Sequence, residues 1–424
     1  MKFRCQRSVL RGSVAIPGSK SHTIRAVAIA GMADGESVIE APLLSADALS
    51  AAECIGALGA EVAREPGLWR VRGCGGKPRL TRSRIDTGNS GTTMNILLGL
   101  AALLPQGEVT LTGDEQIQRR PNGPLAAALN NLGAKLVSVR NTNCPPWVVS
   151  GPLRGGFTTL DAPSSQYLTS LLLACPLAAG DSEIEVLRLN EESYVEMTLA
   201  WLAGQGIRLH REGLRRFRVP GRQRYKSFRR RIPADFSSAS FFLCAGALRG
   251  NQVVSQGLDM VDSQGDKAVV DYLRQMGAPV TLTPDGIRVE AGALHGLEID
   301  MNQTPDALPI MAVLGCFATG TTVLRNVAHA RIKETDRIAV MACELRKLGA
   351  AIEERPDGLL IRESRLHGAE VEGHGDHRVV MALAVAGLSI PGETTVTTAE
   401  AAGVTFPEFA TLIQRLGGLL ATEA

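Results

Sequence analysis

Aromatic residues make up only 4% of this 424-residue chain, and no uninterrupted apolar run reaches the roughly 18 to 20 residues that a membrane-spanning helix requires. The first stretch, MKFRCQRSVLRGS, has no apolar core of the kind that a secretory signal needs, so a cytoplasmic location and no membrane partner are expected. There is almost no excess of charge either: 45 Lys+Arg against 43 Asp+Glu leave a net +2, which excludes a blanket basic surface and, with it, generic nucleic-acid binding. The eight cysteines contain no CxxC pair, and five of them lie in apolar helical runs, which argues against a disulfide scaffold and for reduced, mostly buried thiols. A hydrophobic content of 45% excludes disorder, and the length allows two or three domains with large cores.

What the chain does have is 45 glycines and a phrase that returns. A helical apolar pattern runs into a Gly-Ala or Gly-Gly step and then into a strand-like run, as in AAECIGALGAEV, AAALNNLGAKL, TLAWLAGQGIRL, VVDYLRQMGAPV, MACELRKLGAAI and TLIQRLGGLL. The glycines at these steps are Gly59, Gly133, Gly206, Gly277, Gly349 and Gly417, at intervals of 74, 73, 71, 72 and 68 residues. Glycine belongs there because helices often end on a left-handed residue, a conformation it adopts without steric cost. Six modules of about 70 residues follow. Each also carries an earlier helix, apolar almost all round, which a surface helix would not be, so these helices are expected inside. Strand-like stretches such as GEVTLTG and GTTVLRNV follow them. The chain therefore reads as an α/β repeat protein of two lobes with three modules each. The lobe boundary is expected near GRQRYKSFRRRIPADF, with Arg229 to Arg231 as a solvated linker rather than an anion-steering patch.

Several of the apolar helices begin with similar polar phrases: PGSKSHTIR, TGNSGTT, APSSQY, ADFSSAS, TPDAL and GDHR. Each alone is an ordinary helix cap. Their recurrence points to helix N-termini used as anion receptacles, since the free amides and the positive dipole end favour negative charge. Lys20, Arg25, Arg120, Lys333, Arg337 and Arg378 stand at or near these starts. Such a set suits phosphate and carboxylate ligands, Arg as a planar fork and Lys as a movable point charge. Asp306, Glu334 and Asp336 are the carboxylates among them, able to stay ionised and accept a proton, with Lys20 or Lys333 as a proton donor. Three other motifs are set aside. GSVAIPGSKS has five rather than four residues between its glycines and no GK, so it is not a P-loop. The spacing of His367, His374 and His377 matches no zinc pattern, and Cys144 has no His partner nearby.

In this order the motifs resemble the enolpyruvyl transferase family across essentially the whole chain, with KETDR, DHR and SSQ the specific part. The resemblance implies a two-lobed inverse α/β barrel of six βαβαββ repeats, with residues 14–232 forming the N-terminal lobe and residues 1–13 and 233–424 the C-terminal lobe. It further implies transfer of the enolpyruvyl group of phosphoenolpyruvate to the 5-hydroxyl of shikimate 3-phosphate, with release of phosphate, as a step of the shikimate pathway. The hydroxyl would add to the enol carbon, and phosphate would leave a tetrahedral intermediate. Carried over by position, Lys20, Gly91, Arg120, Gln166, Arg337 and Arg378 would bind phosphoenolpyruvate. Lys20, Ser21, Arg25, Ser164, Ser165, Gln166, Tyr194, Asp306 and Lys333 would hold shikimate 3-phosphate, with Asp306, Glu334 and Lys20 moving protons. No metal and no organic cofactor is implied, and the protein is expected to be a monomer.

This chain departs from the family pattern at Asn95, where Arg is usual, and at Glu191, where a Ser contacts the acceptor phosphate. His329 replaces an Asn of some members, and Val404 a Lys of others. A carboxylate beside a phosphate is repulsive, so either Glu191 turns away, or Asn190 or Ser193 makes the contact, or the acceptor is another cyclic alcohol. A non-catalytic anion-binding protein on the same repeats is the alternative from a different class.

Overall fold

The computed structural model describes residues 1–424, and the chain separates into two compact units, one of residues 18–232 and the other of residues 1–17 with 233–424. The 18–232 unit contains α1 (Lys20–Met32), α2 (Ala46–Ala57), α3 (Gly91–Ala101), α4 (Gly123–Asn131), α5 (Ser165–Ala174) and α6 (Glu192–Gly204). The other contains α7 (Phe236–Ala247), α8 (Val269–Gln275), α9 (Leu308–Phe317), α10 (Arg337–Lys347), α11 (His377–Gly387) and α12 (Phe409–Arg415).

The earlier helix of each module is the interior one. Every residue of α3, α7 and α11 is buried, which accounts for sequences with no polar face. Within the 18–232 unit α3 packs on α5 and α1 on α2; within the other unit α9 packs on α11. Each unit has its own continuous apolar core. The second helix of every module ends as its sequence requires, with Gly59, Gly133, Gly206, Gly277, Gly349 and Gly417 all at φ between 70° and 100°.

Six four-stranded sheets surround these helices, three to a unit and built alike. In one of them Gly156–Ala162 runs parallel to Ser182–Leu189, which pairs antiparallel with Arg216–Val219, itself antiparallel to His210–Glu212. The parallel step is spanned by the buried helix, here α5, as a parallel pair demands.

Two features differ from the sequence reading. Arg229–Arg231 is largely solvent-exposed as expected but is not a linker: it is an edge strand, parallel to Glu36–Glu40, with Arg229 paired to Glu40 at 2.6 Å and the Arg230 guanidinium 4.0 Å over the Trp201 ring. The end of the third module thus supplies the outer strand of the first sheet. The chain also passes from one unit to the other later than residue 13, because Val14 and Ala15 pair with Ser255 and Gln256 inside the 1–17 and 233–424 unit. Gly18 opens the 18–232 unit at a place where a Cβ would lie 2.4 Å from the carbonyl oxygen of Ala41. Lys2–Gln6 sits between Glu393–Thr397 and Leu419–Glu423, so both of the first strands serve the unit that holds the chain's end. Cys5, Cys54, Cys175, Cys244 and Cys316 are buried and unbridged, and Cys343 is exposed. No helix is long and apolar enough to cross a membrane.

Candidate active site

In the 18–232 unit the polar phrases fall at the N-termini of α1, α3 and α5. Ser90 caps α3 by accepting from the Thr93 backbone N–H at 3.3 Å, and Ser164 caps α5 by accepting from that of Gln166 at 3.4 Å. Lys20, the first residue of α1, pairs with the buried carboxylate of Asp47 at 3.2 Å. Gly91 opens α3 beneath the Arg120 guanidinium, so closely that a Cβ there would lie 2.3 Å from Arg120 Nη1 and 3.9 Å from Gln166 Oε1. The structure thus brings Gly91, Arg120 and Gln166 together from three elements. The Tyr167 hydroxyl donates to the Pro121 carbonyl and pins the loop that carries Arg120.

Two residues of this unit have partners that the sequence did not show. Arg25 is 1% exposed, and four of its five N–H donors are engaged inside the fold. Its Nε donates to Thr198 Oγ1 at 2.9 Å, Nη1 to the Ser21 carbonyl at 3.0 Å, and Nη2 to Thr169 Oγ1 and the Tyr194 carbonyl at 3.3 and 3.0 Å. It ties α1 to α5 and α6, and its burial pulls the guanidinium pKa down to about 10. Glu191 has its carboxylate turned onto Ser165. It is 1% exposed, holds a left-handed backbone at φ 59°, and its Oε2 accepts from both the hydroxyl and the backbone N–H of Ser165, at 2.8 and 3.2 Å. A carboxylate of the chain itself therefore occupies the first donors of α5. Ser21 and Tyr194 are half-buried nearby in the chain's fold, on α1 and α6.

In the other unit the centre is Arg337, the first residue of α10 and 1% exposed. Three carboxylates face its guanidinium: Nε donates to Asp376 Oδ2 at 2.8 Å, Nη1 to Asp306 Oδ1 at 2.8 Å, and Nη2 to Glu334 Oε2 at 2.6 Å. Burial alone would lower its pKa, but Asp376, Glu334 and Asp306 outweigh that and drive it well up. Asp306 bridges two cations, because its other oxygen accepts from Arg378 Nη2 at 3.1 Å. Arg378 is also 1% exposed, lies 5.9 Å over the Phe241 ring, and keeps its charge because Asp306, Asp235 and Asp266 offset its burial. Lys333 and Glu334 stand half-buried in the turn that leads into α10.

Sequence reasoning missed three carboxylates. Asp376, wholly buried, caps α11 by accepting from the Arg378 N–H at 2.8 Å while holding Arg337; its position just before a buried helix was the available signal. Asp47 had none beyond its type. Asp266 accepts from the Ser237 hydroxyl, and burial, with Asp306 close by, pushes its pKa up to about 7. Of the three histidines set aside as metal ligands, His367 Nδ1 lies 3.3 Å from the Gly368 carbonyl, His374 Nε2 lies 3.0 Å from Glu344 Oε1, and His377 is buried on α11.

The arrangement is one of buried guanidinium groups held by carboxylates and of helix starts with polar caps, suited to anionic ligands and to proton transfer. Comparison with known proteins agrees. The family model described as EPSP synthase (3-phosphoshikimate 1-carboxyvinyltransferase) matches residues 5–413. A 3-phosphoshikimate 1-carboxyvinyltransferase of Acetivibrio thermocellus is 50% identical over 422 residues, covering 100% of both chains. One of Methanocella arvoryzae is 44% identical over 421 residues, covering 98% of this chain and 99% of its own. Among solved structures, EPSP synthase from Acinetobacter baumannii superposes with a TM-score of 0.83 at 26% identity, over 99% of this chain and 100% of that one. The chain belongs to the EPSP synthase family, the 3-phosphoshikimate 1-carboxyvinyltransferases.

Proposed function

We propose that this chain transfers the enolpyruvyl group of phosphoenolpyruvate to the 5-hydroxyl of shikimate 3-phosphate, and that the residue sets described above are its ligands. In the 18–232 unit, Lys20, Gly91, Arg120 and Gln166 are the phosphoenolpyruvate set. Ser21, Ser164, Ser165 and Tyr194 serve the acceptor, with Lys20 and Gln166 shared between the two. Arg25, with four of its five N–H donors engaged by Thr198, Ser21, Thr169 and Tyr194, ties α1 to α5 and α6 and belongs to the acceptor set. In the other unit, Arg337 and Arg378 belong to phosphoenolpyruvate, Lys333 and Asp306 to the acceptor, and Asp306 and Glu334 to proton transfer.

The observation that carries this assignment is Asp306 spanning Arg337 and Arg378 with one oxygen on each. A carboxylate held so cannot rotate, and it sits between the two guanidinium groups that suit an anionic ligand. In the reaction the acceptor hydroxyl adds to C2 of the enol while C3 takes a proton. The C2–O bond to phosphate then breaks as C3 returns a proton. The acceptor oxygen must lose its proton and C3 must gain and lose one, so at least one base and one acid are needed; Asp306, Glu334 and Lys20 supply them. Fixed cations beside the departing phosphate stabilise the charge that builds on it.

The protein acts as a cytoplasmic monomer with two small-molecule substrates and no nucleic-acid partner, in keeping with its net charge of +2. Light scattering on a sizing column checks the monomer. The test of function is phosphate release by purified protein from phosphoenolpyruvate and shikimate 3-phosphate, with the enolpyruvyl ether identified by NMR. Binding of both substrates without turnover would favour a non-catalytic anion-binding protein, and turnover only with another cyclic alcohol would reassign the acceptor. Glu334→Gln separates the classes again: in the enzyme it lowers turnover far more than ligand affinity.

A further inference from the structure

Asn95, which stands where the family usually carries Arg, is the middle of a buried chain of side-chain hydrogen bonds in the 18–232 unit. The Trp147 indole Nε1–H donates to Asn122 Oδ1 at 3.3 Å. Asn122 Nδ2 donates to Asn95 Oδ1 at 2.7 Å, and Asn95 Nδ2 donates to Gln166 Oε1 at 2.8 Å and to the Gly91 carbonyl at 3.0 Å. Gln166 Nε2 then donates to Thr92 Oγ1 at 3.2 Å, which leaves its second N–H without a partner in the protein. Trp147, Asn122 and Asn95 are 3%, 2% and 6% exposed, so water does not compete for these bonds.

A carboxamide has nearly the same shape with its oxygen and nitrogen exchanged, so a chain of three of them has two self-consistent directions. In one, Gln166 offers N–H to a ligand; in the other it offers a carbonyl oxygen, which repels an anion. The indole N–H breaks this degeneracy because it donates and cannot accept. It requires the oxygen of Asn122, which turns the Asn122 nitrogen to Asn95, the Asn95 nitrogen to Gln166, and the Gln166 nitrogen outward. The Gly91 carbonyl, an acceptor only, reinforces the same direction at Asn95.

We propose that Trp147, Asn122 and Asn95 are positioning residues that set the polarity of the Gln166 carboxamide, so that it presents N–H, not oxygen, to the carboxylate or phosphate of phosphoenolpyruvate. This rests on the reading of Gln166 as a phosphoenolpyruvate ligand. It also gives the Asn at position 95 a role of its own: Arg has no acceptor atom and could not pass on the polarity set at Trp147.

The test is a double-mutant cycle on the KM for phosphoenolpyruvate, using Trp147→Phe, Asn122→Leu and Gln166→Ala singly, and each of the first two combined with the third. Trp147→Phe keeps a ring in the site, and Asn122→Leu is neutral and of similar volume. Each of these is expected to raise KM by about 3- to 10-fold with kcat within about twofold, the size of one hydrogen bond lost or reversed. Gln166→Ala is expected to raise KM about tenfold, and neither second substitution should then add more than about twofold. If Trp147→Phe and Asn122→Leu keep their full effect in the Gln166→Ala background, they act elsewhere and the inference fails while the ligand role of Gln166 stands. If Gln166→Ala leaves KM unchanged, the ligand role itself fails and takes the inference with it. An unchanged KM in both single variants also overturns the inference. Should Trp147→Phe lose its cooperative melt, the Asn122→Leu arm decides alone.

Discussion

The Glu191 carboxylate accepts both donors of Ser165, the hydroxyl at 2.8 Å and the backbone N–H at 3.2 Å. On the proposed assignment, an intramolecular anion thus competes with the acceptor for the donors at the start of α5. Glu191→Gln keeps an acceptor but removes the charge. The expected result is a KM for shikimate 3-phosphate lower by about 3- to 10-fold and a stability lower by about 1 kcal/mol, from the weakened charge-assisted bonds. The KM for phosphoenolpyruvate stays where it was. Steady-state kinetics with each substrate varied, alongside a thermal melt, measure all three; a raised KM for the acceptor would show that Glu191 is not a competitor.

At Gly91 the constraint is space. A Cβ would meet Arg120 Nη1 at 2.3 Å, the far end of a flexible side chain, so the fold can adjust and the guanidinium must move. Gly91→Ala is expected to melt within about 2 °C of the parent while the KM for phosphoenolpyruvate rises about 10- to 100-fold, since a misplaced Arg loses a charge-assisted bond worth about 1.5 to 3 kcal/mol. A large fall in melting temperature with unaltered KM would contradict this.

The carboxylates around Arg337 divide into two kinds. Asp376 is wholly buried and also caps α11, whereas Asp306 is 18% exposed. Asp376→Asn is therefore expected to cost about 3 to 5 kcal/mol of stability, as removal of one partner of a buried ion pair does. Asp306→Asn should cost about 1 to 2 kcal/mol yet lower kcat about 100-fold or more. Denaturant melts paired with kcat on the two variants separate these outcomes, and equal stability losses would refute the division.

Asp266 makes stability depend on pH. Burial, then the neighbouring charge of Asp306, raises its pKa from 3.8 to about 7, with Asp235 adding to the rise and the Ser237 hydrogen bond and Arg378 opposing it. A carboxyl whose folded pKa exceeds its unfolded value binds a proton more tightly in the folded state. Its contribution to stability is whole below about pH 4, declines as pH rises through about 7, and is flat above that, a span of up to about 4 kcal/mol. Asp266→Asn should flatten this part of a stability profile measured by denaturant melts from pH 4 to 8; a slope unchanged in the variant would remove Asp266 as its source.

Local sequence carried much of this protein. The six helix-ending glycines and the all-apolar helices depend on backbone conformation and solvent exclusion, which act within a few residues, so module number, module length and the buried helices were readable. The polar helix starts were readable for the same reason, and with them the cations Lys20, Arg25, Arg337 and Arg378, while Gly91 and Gln166 came from the family resemblance. What the tertiary structure decided are the partnerships between residues far apart in the chain. Arg25 and Arg378 look alike as helix-start cations; one is held by Thr198, Thr169 and two carbonyls, and the other bridges to Asp306. Arg229–Arg231 read as solvated linker until Glu36–Glu40 offered it a strand edge. Glu191 read as a misfit until Ser165 was placed against it, and Asn95 as a lost cation until Trp147 and Asn122 gave it a direction. Hydrogen-bond direction and burial are properties of pairs, and no residue holds them until the chain has brought its partner within about 3 Å.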